Sequence, residues 1–236
     1  MSEDPVETAF EASWPAAEYA MAGPLRIGRG LGGGMRVSSA RATRPGWDST
    51  DIDHAIRIME DWGQPSSFRA LEGDGLGEAL AARGWQGRMT TLMMQAPVIA
   101  LTDLPVPEVT AFALWPPLAI QREIWTAAGI GPARLAVMER ASAPKTALLG
   151  RTKDRAAGTA FLAGAGDYAV LHALEVIPAA RRQGLAGWMI REAAFWAGAQ
   201  GHRMLLLAVT AENAPAIALY RGLGFSTVAA YRYWQP

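Results

Sequence analysis

Apolar positions along this chain fall into two periods, and their alternation predicts most of its elements. Between residues 185 and 199, Ala186, Met189, Ile190, Ala193 and Ala197 recur at helical spacing, whereas 204–209 is the continuous apolar run of a buried strand. Residues 168–177 read as a strand. In the front part, 5–20 are expected to be helical and 25–42 to be glycine-broken strand. A helix over 51–62 places Ile52, Ala55, Ile56 and Met59 on one face. A short strand at 67–71, a helix at 76–83 ending at Gly84-Trp85, and a strand at 88–95 follow. The proline-punctuated stretch 97–107 reads as a domain connection. Beyond it come helices at 118–125 and 133–140, strands at 147–151 and 156–162, and a last strand at 226–233. This order of elements predicts an α/β protein with a mixed sheet.

Residues 181–186, Arg-Arg-Gln-Gly-Leu-Ala, lie between the strand at 168–177, Pro178 and the helix from 185. Strand, short loop and helix N-terminus in that order make an anion site. The first helical N–H groups have no intrahelical partner, and the helix dipole adds partial positive charge. Gly184 lets backbone approach a phosphate, and Ala186 keeps the next turn small. Several charge-assisted hydrogen bonds, each worth about 1.5–3 kcal/mol, would hold a pyrophosphate there. A basic turn that merely caps a helix is the alternative. Further along, Asn213 suits an N-cap, Pro215 a first helical turn, and Gly222 and Gly224 a helix stop.

These two segments resemble the two signatures of the GNAT superfamily of acyl-CoA-dependent N-acyltransferases. Val176, Pro178, Arg181, Gly184 and Ala186 match the acyl-CoA signature. Asn213, Ala216, Leu219, Tyr220, Gly224 and Phe225 match the second, in the family's order and spacing, and the resemblance covers roughly residues 115–236. It implies a GNAT fold, a mixed and mostly antiparallel sheet flanked by helices, with acetyl-CoA as co-substrate. Cofactor contacts are then expected from Leu174, Glu175 and Val176, from Arg181, Arg182, Gln183, Gly184, Leu185, Ala186 and Gly187, and from Asn213 and Tyr220. By the same resemblance the backbone of 174–176 grips the thioester carbonyl, Asn213 meets the pantetheine arm and Tyr220 protonates the departing thiolate. A helix tyrosine packed beside Ile217, and an asparagine that only caps, are the plainer alternatives.

A general base is open to two residues. Alternation along 168–177 puts His172, Leu174 and Val176 on one face and Leu171, Ala173, Glu175 and Ile177 on the other. Some GNAT members carry their base on the face that includes Val176, where His172 is the titratable group. A histidine satisfied by a neighbouring strand is the competing reading, and Glu175 is the second choice. Other members place a glutamate on the next strand, but that position here is Ala208.

Composition narrows the classes further. The 22 cationic and 22 acidic residues cancel, which leaves no electrostatic footprint for nucleic acid or an anionic membrane. Cysteine is absent, so disulfides, thiolate zinc sites and a cysteine nucleophile are excluded together, and no metal is expected. Lys145 and Lys153 are the sole lysines, an arginine bias that points to a GC-rich, bacterial genome. The acidic start lacks an apolar leader and no apolar run is long enough to span a bilayer, so a soluble cytoplasmic protein is expected.

The halves show a faint repeat. Trp85 and Phe225 stand 140 positions apart, and at that offset Gly84 matches Gly224 and Leu80 matches Tyr220, while Asn213 faces Gly73 and Gly184 faces Arg44. Residues 1–100 are therefore expected to be a degenerate GNAT-like domain without the cofactor motif, walling the substrate cleft. Residues 101–236 are expected to be the catalytic domain. Residues 28–33 match G-x-G-x-x-G, but no helix opens after them, so a hairpin turn is expected and not a dinucleotide site. The expected activity is acetyl transfer to a primary amine of a small-molecule acceptor, with a protein N-terminus also open. A non-catalytic acyl-CoA-binding module is the alternative, and Tyr220 argues against it.

Overall fold

The computed structural model describes residues 4–236. The front half runs α1 (Pro5–Ala12), β1 (Glu18–Ala22), β2 (Leu25–Arg29), a 3-10 turn (Met35–Val37), β3 (Ala40–Ala42), α2 (Ser49–Asp61), β4 (Phe68–Leu71), α3 (Leu76–Ala82), β5 (Gln86–Pro97) and the short α4 (Val98–Leu101). The back half runs β6 (Ala111–Leu114), α5 (Ala119–Ala127), α6 (Pro132–Arg140), β7 (Lys145–Thr152), β8 (Arg155–Ala165), β9 (Tyr168–Val176), a 3-10 turn (Pro178–Ala180), α7 (Leu185–Ala199), β10 (Met204–Thr210), α8 (Ala214–Gly222) and β11 (Ser226–Gln235). Two expectations need correction. The helix expected over 5–20 stops at Ala12, because Pro15 can neither donate nor let Trp14 stay helical, and β1 begins at Glu18. The glycine-broken strand expected over 25–42 is reduced to β2 and the short β3. Gly34, at φ +97°, turns the chain into the 3-10 turn first, although β2 and β3 do pair antiparallel, Leu25 opposite Ala42.

All the strands belong to one mixed, mostly antiparallel sheet in the order β1-β2-β3-β4-β11-β5-β10-β9-β8-β7-β6. Two pairs are parallel: β3 with β4, bridged by α2, and β9 with β10, bridged by α7. The middle of the sheet joins the halves. β5, from the front, pairs with β10 along Met204–Thr210, while β11, from the back, lies between β5 and β4. Each half thus lends its last strand to the other.

Helices cover both faces. α7 buries Leu185, Met189, Ile190, Ala193, Ala194 and Ala197 against the back strands, and α2 and α3 bury Ile52, Ala55, Met59, Leu76 and Leu80 against the front ones. Each fully buried aliphatic side chain contributes about 1.5–3 kcal/mol. Across the sheet, α5 and α6 pack Trp125, Val137 and Met138 with Phe161 and Trp14. α1 bridges the junction on that face, its Phe10 ring 6.2 Å from Tyr231. There Glu7 takes two hydrogen bonds from Arg69 of β4, both side chains almost fully buried. Among the described residues, no helix is long and apolar enough to cross a membrane.

Candidate active site

β9 and β10 are paired only from Tyr168–Leu171 against Met204–Leu207. Beyond that point β10 stays with β5, while β9 passes from His172 opposite Phe161 to Glu175 opposite Thr159, leaving Ala173 and Leu174 unpaired. That extra residue is a β-bulge, with Ala173 at φ +50°. The two strands splay and a cleft of about 510 Å³ opens between them. Its walls carry Leu171 to Glu175 from β9, Leu207 to Thr210 from β10, and Asn213 and Tyr220 from the α8 region. Ala208 is among them, so no carboxylate projects from that position.

The bulge also overturns the alternation expected along β9. His172 is not on the face of Leu174 and Val176. It packs against Phe161, Trp14 and Phe10, whereas Leu174 and Val176 lie against the α7 core. One inserted residue shifts the period-two pattern by one place. His172 is 5% exposed and both ring nitrogens are engaged: Arg36 Nη1 donates to Nδ1 at 2.9 Å, and Nε2 lies 2.9 Å from Ser13 Oγ. Because a guanidinium only donates, Nδ1 is the acceptor and Nε2 carries the hydrogen. Burial, with the Arg36 charge adding, holds the imidazole well below its ordinary pKa. The ring is neutral and satisfied, the plainer of the two readings of the sequence.

Glu175 and Tyr220 do come together. Glu175 is half-buried, and burial raises its carboxyl above the usual range although Arg181 pulls the other way. Tyr220, 8% exposed with its ring 5.7 Å from Phe225, is pushed up to about 12 by burial and by the Glu175 charge. A half-buried carboxyl thus shares the cleft with a hydroxyl that keeps its proton at neutral pH.

Beyond β9 the chain passes through the 3-10 turn and a short loop into the N-terminus of α7. Arg181 Nε donates to Val176 O at 2.9 Å, and Gln183 Nε2 to Ala179 O at 3.0 Å, so both side chains fold back on the loop. Arg182 and Gly184 adopt positive φ, +63° and +82°. A Cβ on Gly184 would meet nothing nearer than Trp188 Nε1 at 4.0 Å. Trp188 N–H is the first of α7 to reach a carbonyl, that of Gly184, at 3.3 Å. The N–H groups of Leu185, Ala186 and Gly187 precede it at a helix end that no side chain caps. These residues fit a pyrophosphate. Asn213 is the N-cap of α8, its Oδ1 accepting from Ala216 N at 3.2 Å, and it also borders the cleft.

Sequence reasoning expected the front half to wall the cleft but named none of the residues of the other wall. Trp14, Gly33, Gly34, Met35 and Arg36 enter it from the front half, Ile130 and Arg134 from the α5–α6 region, and Met89 and Tyr233 from the exchanged strands. Loop residues carry no periodicity, so the one available signal was the glycine run at 28–33, whose last member and Gly34 shape this wall. Among the described residues no group of three or more acidic, histidine or cysteine side chains is arranged to hold a metal.

Residues 115–225 match the family model described as the Acetyltransferase (GNAT) family. No curated protein matches the chain. Among solved structures, it is similar in fold to a GCN5-related N-acetyltransferase from Kribbella flavida, at 20% identity and TM-score 0.74, covering 99% of this chain and 96% of that one. A putative GNAT acetyltransferase from Novosphingobium aromaticivorans is 22% identical, with TM-score 0.62 and coverage of 99% and 97%. A tandem GNAT protein of the clavulanic acid biosynthesis pathway aligns at 15% identity and TM-score 0.58, covering 83% and 74%.

Proposed function

We propose that the chain, whose residues 115–225 match the GNAT acetyltransferase family model, is an acetyl-CoA-dependent N-acetyltransferase acting on a primary amine of a small-molecule acceptor. The observation that carries this reading is the placing of Glu175 and Tyr220 on one splayed cleft beside an uncapped helix N-terminus. A module that only bound acyl-CoA would need the helix end but not the proton-handling pair. Transfer forms an N–C bond and breaks a C–S bond. The unpaired bulge at Ala173 and Leu174 offers backbone to the thioester carbonyl, and the open end of α7 offers N–H groups to the pyrophosphate. Glu175, its carboxyl raised by burial, takes the proton from the amine. Tyr220, still protonated at neutral pH, gives its proton to the thiolate. His172 is a packing residue in this scheme, and Glu175 replaces it as base.

We further read residues 1–100 as a GNAT-like unit without a cofactor site and 101–236 as the catalytic unit. Support comes from the matched plan of the halves, each with one parallel strand pair bridged by a helix.

Thiol release from acetyl-CoA across an amine library tests the activity. Tyr220→Phe should lower kcat by about 10²–10⁴-fold with acetyl-CoA affinity nearly constant, since only one oxygen leaves a packed ring. Glu175→Gln should remove the acidic limb of the kcat profile, which reports groups of the bound complex, and His172→Asn should leave it in place. A change confined to KM in the tyrosine variant would reject its chemical role.

A further inference from the structure

The cleft that Tyr220 lines also carries two guanidiniums that, among the described residues, form no ion pair. Arg36, from the 3-10 turn, spends one donor on His172 and stacks 4.1 Å above the centroid of Phe10. Among the described residues no carboxylate lies within ion-pair distance of it; Glu7, which feels its charge from farther off, is held by Arg69 and Arg41. Arg134, from α6, has no side-chain ion pair or hydrogen bond among the described residues, its backbone N–H alone donating to Gly131 O. Its Nε lies 3.5 Å from where a Cβ on Gly34 would stand, which lays the guanidinium against the loop two residues before Arg36. Both line the cleft, and the one carboxylate that lines it is Glu175.

Building on the transferase reading, we propose that the acceptor is an amine that also carries an anionic group, a carboxylate or phosphate, which Arg36 and Arg134 hold while its amine faces Glu175. Guanidiniums satisfy such oxyanions with paired N–H donors. Arg36 is already oriented by His172 and the Phe10 ring, so little side-chain freedom is lost on binding. A polyamine would meet two like charges on this wall and is rejected. Gly34, which directly follows the glycine run that resembled a nucleotide motif, has a φ of +97° that aims the turn delivering Arg36.

The test uses the full chain and matched acceptors: phenylalanine, phenylalaninamide, 2-phenylethylamine and O-phosphoethanolamine, with spermidine as the opposite charge. Thiol release and calorimetry on the acetyl-CoA complex are both measured. The expected result is selectivity of about tenfold or more for the carboxylate or phosphate compound over its neutral partners. Arg134→Gln and Arg36→Gln should each reduce that selectivity through KM, and Arg134→Glu should shift preference toward spermidine. Circular dichroism and acetyl-CoA binding verify that each variant is folded. Equal use of phenylalanine and its amide, or preference for spermidine in the unaltered protein, overturns the inference and leaves the transferase standing. Thiol release with no amine at all rejects the transferase reading instead, and calorimetry then decides anion selectivity alone.

Discussion

At α2 and α7 the chain twice leaves a strand, opens a helix and returns as a parallel neighbour, yet the two N-termini are finished differently. At α2, Asp48 caps the helix: its Oδ1 accepts from Thr50 N at 2.7 Å, Thr50 Oγ1 at 2.6 Å and Asp51 N at 3.2 Å, and Asp51 Oδ2 accepts from Asp48 N in return. The Thr50 hydroxyl, with the two backbone donors, holds that carboxyl below its ordinary pKa. At α7 the cap is Gly184, which brings no side chain. One helix end contains its own anion and the other leaves that seat open. The comparison teaches that a shared strand–helix–strand plan does not carry a shared site. At α2 the capping carboxylate occupies the donors that α7 leaves free.

The halves exchange strands through β5 and β11, and removing one half is the strongest way to break the comparison. A chain beginning at Leu101 lacks β5, so β10 and β11 each lose the strand between them. It should show no cooperative thermal unfolding and no acetyl-CoA binding. A folded fragment with full affinity would establish two independent units. Next in size is the buried pair that seats α1. Glu7→Gln leaves Arg69 uncompensated and should cost about 3–5 kcal/mol in denaturant unfolding. Burial raises the Glu7 carboxyl, but Arg69, then Arg41 and Arg36, outweigh it and set its pKa below the ordinary 4.5. Its contribution is therefore complete above that value and drains away as pH falls below it, an acid limb that the variant should lack. The smallest effect sharpens the comparison most. Gly184→Asp gives α7 the carboxylate that α2 already has, and aspartate tolerates positive φ better than most residues. Acetyl-CoA should bind about tenfold or more weakly in calorimetry with the fold intact. Unchanged affinity would place the pyrophosphate elsewhere.

Local physics made some of this legible in the sequence. The Asn213 cap, α7, α8 and the strand at β10 follow from spacing and capping chemistry, and the structure has them where those rules put them. The bulge at Ala173 was not legible, because inserting one residue leaves the apolar pattern unaltered while reversing which side His172 faces. The exchange of β5 and β11 was hidden for another reason: both read as strands, but pairing partners distant in the chain leave no periodic trace. Arg36 and Arg134 were missed because their meaning depends on who fails to pair with them, a property of three dimensions only.

β5 is synthesised long before the strands it will sit between. At roughly 5–20 residues per second, the stretch from Pro97 to the first residue of β10 occupies a ribosome for on the order of ten seconds, and β11 arrives later still. Through that interval Met93, Met94 and Ala96, which end up fully buried, belong to a nascent edge with no neighbour on either side. Newly made chains could meet one another there before they meet their own C-termini, so expression yield should depend on translation speed and chaperone supply more than on the stability of the finished protein.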